Sequence, residues 1–231
     1  MAKLRYHQTT AMVITLGVTF ALTTFGTPAL HAQEVRPGLK AALNLSWFSG
    51  SDWDDALDWL ASDPDISSVS NDANIGFIGG LFVDVPLGPG LSVQPELLLG
   101  RIGGAYSYRA FGVSVEGSVR ATALKLPLLL KPKAAVGHHG AIYGLIGPTP
   151  AFLLGDVDHR EEGDGFSISV SDAPDNRFVF SATFGAGYEH SVGAGAINVE
   201  VRYNRTFTDI FENDNTRINS INIFGGWGFD L

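Results

Sequence analysis

Residues 221–231 read Ile221-Asn222-Ile223-Phe224-Gly225-Gly226-Trp227-Gly228-Phe229-Asp230-Leu231. A β-strand has a side-chain period of two. Ile221, Ile223, Trp227, Phe229 and Leu231 therefore share one face, and Asn222, Gly226, Gly228 and Asp230 share the other. In a soluble sheet the apolar face meets a core; in a transmembrane barrel it meets lipid. One strand does not decide between the two, so the decision rests on the rest of the chain.

Seven further segments precede this one, and the connections between them alternate long and short. Long connections lie near Ser49–Ala73, Tyr106–Val119, Asp156–Asn176 and Phe211–Thr216, and short ones near Pro86–Gly90, Ala134–Gly140 and Ser191–Gly195. Bacterial outer-membrane barrels have an even strand number, short periplasmic turns and longer outer loops. Within segments the faces separate by parity. Leu39, Ala41, Leu43 and Leu45 oppose Lys40, Ala42, Asn44 and Ser46, while Ile197, Val199, Val201 and Tyr203 oppose Asn198, Glu200, Arg202 and Asn204. Ile78 and Phe82 blur the second segment, and the fifth, Ala141–Leu154, is too rich in Gly and Pro to assign a face.

Alternation also suits a soluble β-sandwich or a lipocalin. The polar face is more telling, because it sets Lys, Asp, Glu and Arg between runs of Leu and Phe yet uses much Gly and Ala, as a narrow barrel interior requires. Trp47, Phe48, Tyr143, Phe178, Phe207, Trp227 and Phe229, near segment ends, suit interfacial girdles. The expected fold is all-β, an eight-stranded antiparallel up-and-down transmembrane barrel. Pro95, Pro127, Pro148 and Pro150 fall inside proposed strands, which predicts local bulges or a kinked hairpin.

Residues 1–32 have the layout of a cleaved secretory signal: Lys3 and Arg5, an apolar stretch from about Ala11 to Leu22, then Pro28-Ala29-Leu30-His31-Ala32. The reading is signal 1–32 and barrel 33–231. The whole chain carries a net charge of −9, and losing Lys3 and Arg5 takes this to about −11. Nucleic acid is an unsuitable partner for so acidic a chain. Without cysteine there is no disulfide framework, thiol nucleophile or thiolate metal site. After residue 32 no apolar run reaches the roughly 18 residues a spanning helix needs.

Five motifs in order, Gln94-Pro95-Glu96-Leu97-Leu98, Leu126-Pro127-Leu128-Leu129-Leu130-Lys131, Tyr143-Gly144-Leu145-Ile146-Gly147-Pro148, Phe184-Gly185-Ala186-Gly187-Tyr188 and Val201-Arg202-Tyr203-Asn204 with Asp209-Ile210, resemble the PorT-like family of outer-membrane β-barrel proteins. The resemblance implies an eight-stranded barrel in the outer membrane of a didermic bacterium, and for the namesake a role in type IX protein secretion. Such barrels usually finish on an aromatic residue, whereas this chain ends in Leu231 with Phe229 two earlier.

Glu96, Lys125, Glu200 and Arg202 lie on the polar face several residues in from the expected periplasmic ends, with Lys40, Asp84 and Glu189 nearer those ends. An eight-stranded interior is only wide enough for side chains, so buried charges there must pair. The expectation is an ion-pair network of Glu96, Lys125, Glu200 and Arg202, read as a structural plug, with a narrow gated pore as the alternative. In the first long loop, Asp52-Trp53-Asp54-Asp55-Ala56-Leu57-Asp58 lacks the glycine and terminal glutamate of an EF-hand and reads as solvated acidic surface. Trp53, Leu57, Trp59 and Leu60 fit a short amphipathic helix across the barrel mouth or a sticky loop. His159 with Ser167 is the only candidate pair for hydrolytic chemistry. The function expected is non-enzymatic, with no cofactor or metal. The partners are outer-membrane lipid and, through the outer loops, another envelope protein or the surface layer. A pore or secretion component comes second and an outer-membrane hydrolase third.

Overall fold

The computed structural model describes residues 35–174, 176–208 and 215–230. The signal expected over residues 1–32, the end residue Leu231 and most of the connection near Phe211–Thr216 lie outside the described residues. The elements in chain order are β1 (Arg36–Ser49), α1 (Ser51–Ala61), β2 (Ile66–Asp72), β3 (Asn74–Gly88), β4 (Leu91–Ala110), β5 (Val113–Lys125), β6 (Leu128–Val136), β7 (Gly140–Gly163), β8 (Phe166–Asp172), β9 (Phe178–Ser191), β10 (Gly195–Thr206) and β11 (Arg217–Phe229).

These eleven strands make eight barrel staves. β5 and β6 are one stave broken only at Leu126-Pro127, because both pair β4 on one side and β7 on the other. β2 and β8 pair only the ends of β4 and β7 that lie farthest from the short turns. The remaining ladder runs β1-β3-β4-β5/β6-β7-β9-β10-β11, antiparallel throughout, and closes where β11 returns to β1 with Leu43 opposite Ile223. Closure removes free sheet edges from the barrel wall. Among the described residues no helix is long and apolar enough to cross a membrane.

Parity decides which way side chains face. Leu39, Leu43, Leu81, Leu97, Val199, Val201 and Ile223 point outward and are exposed, whereas Asn44, Gln94, Glu200 and Asn222 are buried within. Polar groups inside and apolar groups outside invert the soluble pattern, which is stable only where the surroundings are hydrocarbon. Ile78 and Phe82 do face inward, so the second stave sets apolar side chains among the lumen charges. The fifth stave keeps its alternation despite its prolines: Tyr143, Leu145, Thr149, Ala151 and Leu153 are buried, while Ile142, Ile146, Phe152 and Leu154 are exposed.

The prolines correct one expectation. The register is unshifted across all four, with Leu130 opposite Ile146 and Lys125 opposite Ala151, and likewise Pro95 opposite Leu128 and Leu98 opposite Lys125. Each reciprocal pair loses its proline donor but keeps the acceptor: Glu96 N–H donates to the Pro127 carbonyl at 2.9 Å and Leu126 N–H to that of Pro150 at 2.8 Å. No bulge is needed where half of the pair survives. The irregularities fall elsewhere, at Pro86/Gly88 and opposite Arg120/Thr122, where β7 accommodates two extra residues around Gly155.

Two long connections are extended hairpins rather than loops. β4 and β5 pair continuously to Ala110 and Val113, with a tight turn at Phe111-Gly112, and β7 and β8 pair to Gly163 and Phe166. The first long connection folds into α1, as its apolar spacing predicts, and then β2. Trp53 packs against Phe48 with ring centroids 4.5 Å apart and against Tyr106 at 5.7 Å, which lays the helix over the mouth. Phe48 and Tyr143, expected in the girdles, turn inward and are buried. Both sit on the lumen parity of their strands, and parity outranks the tendency of aromatics to gather at an interface.

Candidate functional site

The lumen is filled by two layers of paired charge. The inner layer joins β1, β4 and β10. Lys40 Nζ donates to Glu96 Oε1 at 2.8 Å and to Glu200 Oε1 at 3.1 Å, and Arg202 grips Glu96 with two bonds of 2.7 Å. Arg202 also pairs with Glu200. β4 and β10 are four staves apart in a ring of eight, so the Glu96–Arg202 pair crosses the full barrel diameter. Gln94 Nε2 donates to Glu96 and Tyr143 Oη to Glu200, so the carboxylate oxygens are well satisfied.

Aromatic rings inside the barrel line the cations. Lys40 Nζ lies 4.5 Å from the Phe82 ring centroid, and the Arg202 guanidinium lies 4.4 Å from that of Phe224. Ring faces are negative, which offsets part of the cost of burying a cation. Glycines make the room: a Cβ at Gly187 would stand 2.5 Å from the Tyr143 ring, and one at Gly185 2.9 Å from Arg202 Cγ. The second layer lies toward the short turns. There Lys131 meets Asp84 at 2.9 Å and Glu189 at 3.0 Å, Lys133 meets Asp84 at 2.6 Å, and Arg36 meets Asp230 at 2.7 Å.

The structure thus brings Glu96, Glu200 and Arg202 together, with Lys40 rather than Lys125 as the second cation. Lys125 has no carboxylate within 4.0 Å among the described residues. It faces inward one step beyond this layer, beside a small cavity that Arg202 also lines. Strand stagger is the cause. Lys40 stands opposite Gly80 on one side and Gly226 on the other, and so reaches across the lumen at the height of Glu96 and Glu200.

The other candidates are not assembled. In the β7–β8 hairpin His159 stands opposite Val170 and Ser167 opposite Glu162. Ser167 is three residues from Val170, an odd number, so its side chain and that of His159 project from opposite faces of the hairpin. Asp54, Asp55 and Asp58 are exposed on α1, and among the described residues no three His, Cys, Asp or Glu side chains converge as a metal site.

The family model for the outer membrane protein beta-barrel domain matches residues 31–212. The chain belongs to that family. Membership places this outer-membrane barrel in the bacterial outer membrane, with the inverted faces described above turned to lipid and lumen. No curated protein matches its sequence. Solved structures similar to it include Ail, the attachment invasion locus protein of Yersinia pestis, at 14% identity over 85% of this chain and 100% of that one, with a TM-score of 0.39. Neisserial surface protein A aligns at 10% identity over 84% and 97% with a TM-score of 0.42, and OprG of Pseudomonas aeruginosa at 10% over 87% and 98% with a TM-score of 0.47.

Proposed function

We propose that this outer-membrane barrel is a non-enzymatic, non-conducting protein that acts through its outer surface on another component of the envelope or cell exterior, after export through a cleaved signal. One observation carries this reading. The side chains of Lys40, Glu96 and Glu200 are 0% accessible to a water-sized probe and that of Arg202 2%, although together they span the lumen from wall to wall. A water-filled channel would wet these groups. Their dryness supports a stopper, and the separation of His159 from Ser167 speaks against hydrolysis.

The work then falls to the outer rim, where the structure spends its non-barrel residues: α1, β2, and the hairpins β4–β5 and β7–β8. Trp59 and Phe111 stand there 74% and 82% exposed, and an exterior groove of about 410 Å³ is lined by charges of both signs, among them Asp72, Glu116, Arg120 and Arg160. The five motifs shared with PorT-like proteins support a place near that branch, and co-purification of the native barrel with secretion components would test it. For the stopper itself, the purified protein in planar bilayers is expected to show no steady conductance. Large, stable, ion-selective currents from the unmodified protein would overturn the reading in favour of a pore.

A further inference from the structure

We propose that the open edge of β8 accepts an extended, lysine- or arginine-bearing segment of another polypeptide, which adds as a further strand to the sheet standing outward of the barrel wall. This rests on the outer-surface reading above and names the kind of partner that surface takes. Beyond the wall, the outer parts of β4, β5 and β7 continue in an antiparallel sheet ordered β2-β4-β5-β7-β8. The ring is not closed there, so this sheet has two edges, β2 and β8. An unpaired edge is a template for another strand, and proteins normally blunt it. β2 is blunted: its register shifts between Ser67 and Ser70, Ser68 takes a φ of 57°, and Asn71 Nδ2 donates to the Phe48 carbonyl at 3.0 Å. β8 has none of these devices. Its register against β7 is unbroken from Gly163 opposite Phe166 to Val157 opposite Asp172, and it holds no proline, lysine or arginine.

Gly163 and Phe166 flank the two-residue turn Asp164-Gly165, so that pair exchanges its backbone hydrogen bonds, and bonded and unbonded pairs alternate from there. Phe166, Ile168, Val170 and Asp172 therefore spend their N–H and C=O groups on β7, whereas Ser167, Ser169 and Ser171 aim theirs away from it. No backbone partner meets these three serines among the described residues. Phe166, Ile168 and Val170 are exposed, and they share a face with Val157, which is buried within, so the apolar row looks over the barrel mouth rather than into lipid. Charge selects the occupant. Residues 155–172 hold six carboxylates against one cation, Arg160, and Arg160 is already paired with Glu162. Asp164 and Asp172 bracket the edge, and Glu161 stands opposite Ile168. Anionic head groups are repelled by that set. A second copy brings the same carboxylates, and because two barrels in one membrane share an orientation, its β8 would run parallel with Asp172 beside Asp172. A basic extended segment meets the open amides and the carboxylates together.

The test uses the full barrel in lipid nanodiscs and, as probe, a fluorescent peptide with lysine at both ends and alternating threonine and valine between. Fluorescence anisotropy should show saturable binding that weakens as salt rises. Replacing both lysines of the peptide by glutamate should weaken it about 10-fold. Methylating alternate backbone amides of the peptide should abolish it, because the strand then loses its main-chain bonds to the edge. Ser169→Pro removes the donor at the centre of the open edge without touching a bond to β7, and should abolish binding while the barrel keeps its mobility change on boiling. Ser169→Thr, which keeps the donor, should bind as the unmodified protein does. Hydrogen exchange of residues 167–171 should slow when the peptide is added. Absence of binding would overturn the proposal, as would binding that survives peptide methylation or Ser169→Pro, and equal binding of the lysine and glutamate peptides would overturn the basic partner. Steady bilayer conductance with the peptide still bound would overturn the shut lumen alone, while an electrically silent barrel that ignores the peptide would overturn the strand site alone.

Discussion

Replacing Glu96 by Gln keeps the shape of the side chain and removes one negative charge from the centre of the lumen. Four donor contacts converge on this carboxylate: Lys40 at 2.8 Å, two from Arg202 at 2.7 Å, and Gln94 at 2.5 Å. An amide accepts through one oxygen and turns its NH₂ toward groups that can only donate. Both cations then share Glu200 alone. Breaking one partner out of a buried ion pair typically costs about 3 to 5 kcal/mol, and that is the loss expected for Glu96→Gln. Restoring balance with Glu96→Gln plus Lys40→Met should recover much of it. Glu162→Gln, which breaks an exposed pair with Arg160, should cost no more than about 1 kcal/mol. The assay is urea unfolding of the barrel in lipid vesicles, followed by tryptophan fluorescence and by the mobility change on boiling. A loss for Glu96→Gln no larger than the surface control would mean that water reaches these charges, and the stopper would be refuted.

Three further outcomes follow from geometry. Val199 is 53% exposed on the lipid face, so Val199→Arg should cost roughly 2 to 4 kcal/mol if it lies near the membrane midplane, while Asn198→Ser on the lumen face should cost much less; equal damage in the same unfolding assay would mean the faces are misassigned. Gly187→Ala should cost about 1 to 3 kcal/mol by driving Tyr143 from Glu200, and Gly187→Ala with Tyr143→Phe should lose little beyond Tyr143→Phe alone in a double-mutant cycle. Tyr106, in the outer extension of β4, donates to Glu161 at 2.5 Å, and burial followed by that hydrogen bond holds its phenol above the usual 10. A raised acid favours the fold while it is neutral, so its contribution is complete below about pH 10 and is lost as alkali rises beyond that. Ultraviolet titration of Tyr106→Phe should show one fewer late-titrating tyrosine than the unmodified protein.

The barrel was legible because a period of two can be read from the sequence in seven of the eight staves, and because hairpin connections of unequal length mark the two ends. What parity does not supply is height. Lys40 and Lys125 both sit on the lumen face, but which one reaches Glu96 depends on the stagger between neighbouring staves, and stagger is a property of the closed ring. The same limit hid Phe224, an apolar side chain on the otherwise polar face of the last strand. In the structure it is the ring beneath Arg202. Glycines offered a usable signal, since Gly185, Gly187 and Gly226 face large lumen side chains, but pairing them with those side chains requires the register first. The prolines misled for a related reason: a lone strand shows the missing donor but not the acceptor that its partner still uses.

The stopper is assembled from residues far apart along the chain: Lys40 and Glu200 are 160 positions apart, and Arg36 and Asp230 are 194 apart. Until the two ends of the chain meet, Lys40 lacks Glu200 and Arg36 lacks Asp230, and a half-curled sheet in the bilayer would carry those charges less than fully paired. Intermediates with an open seam are therefore penalised on the pathway, and assembly is pushed toward a single concerted event. The expected kinetic signature is slow insertion with few populated species, and correspondingly slow release. The charges that cross the lumen also act as a latch on the cylinder.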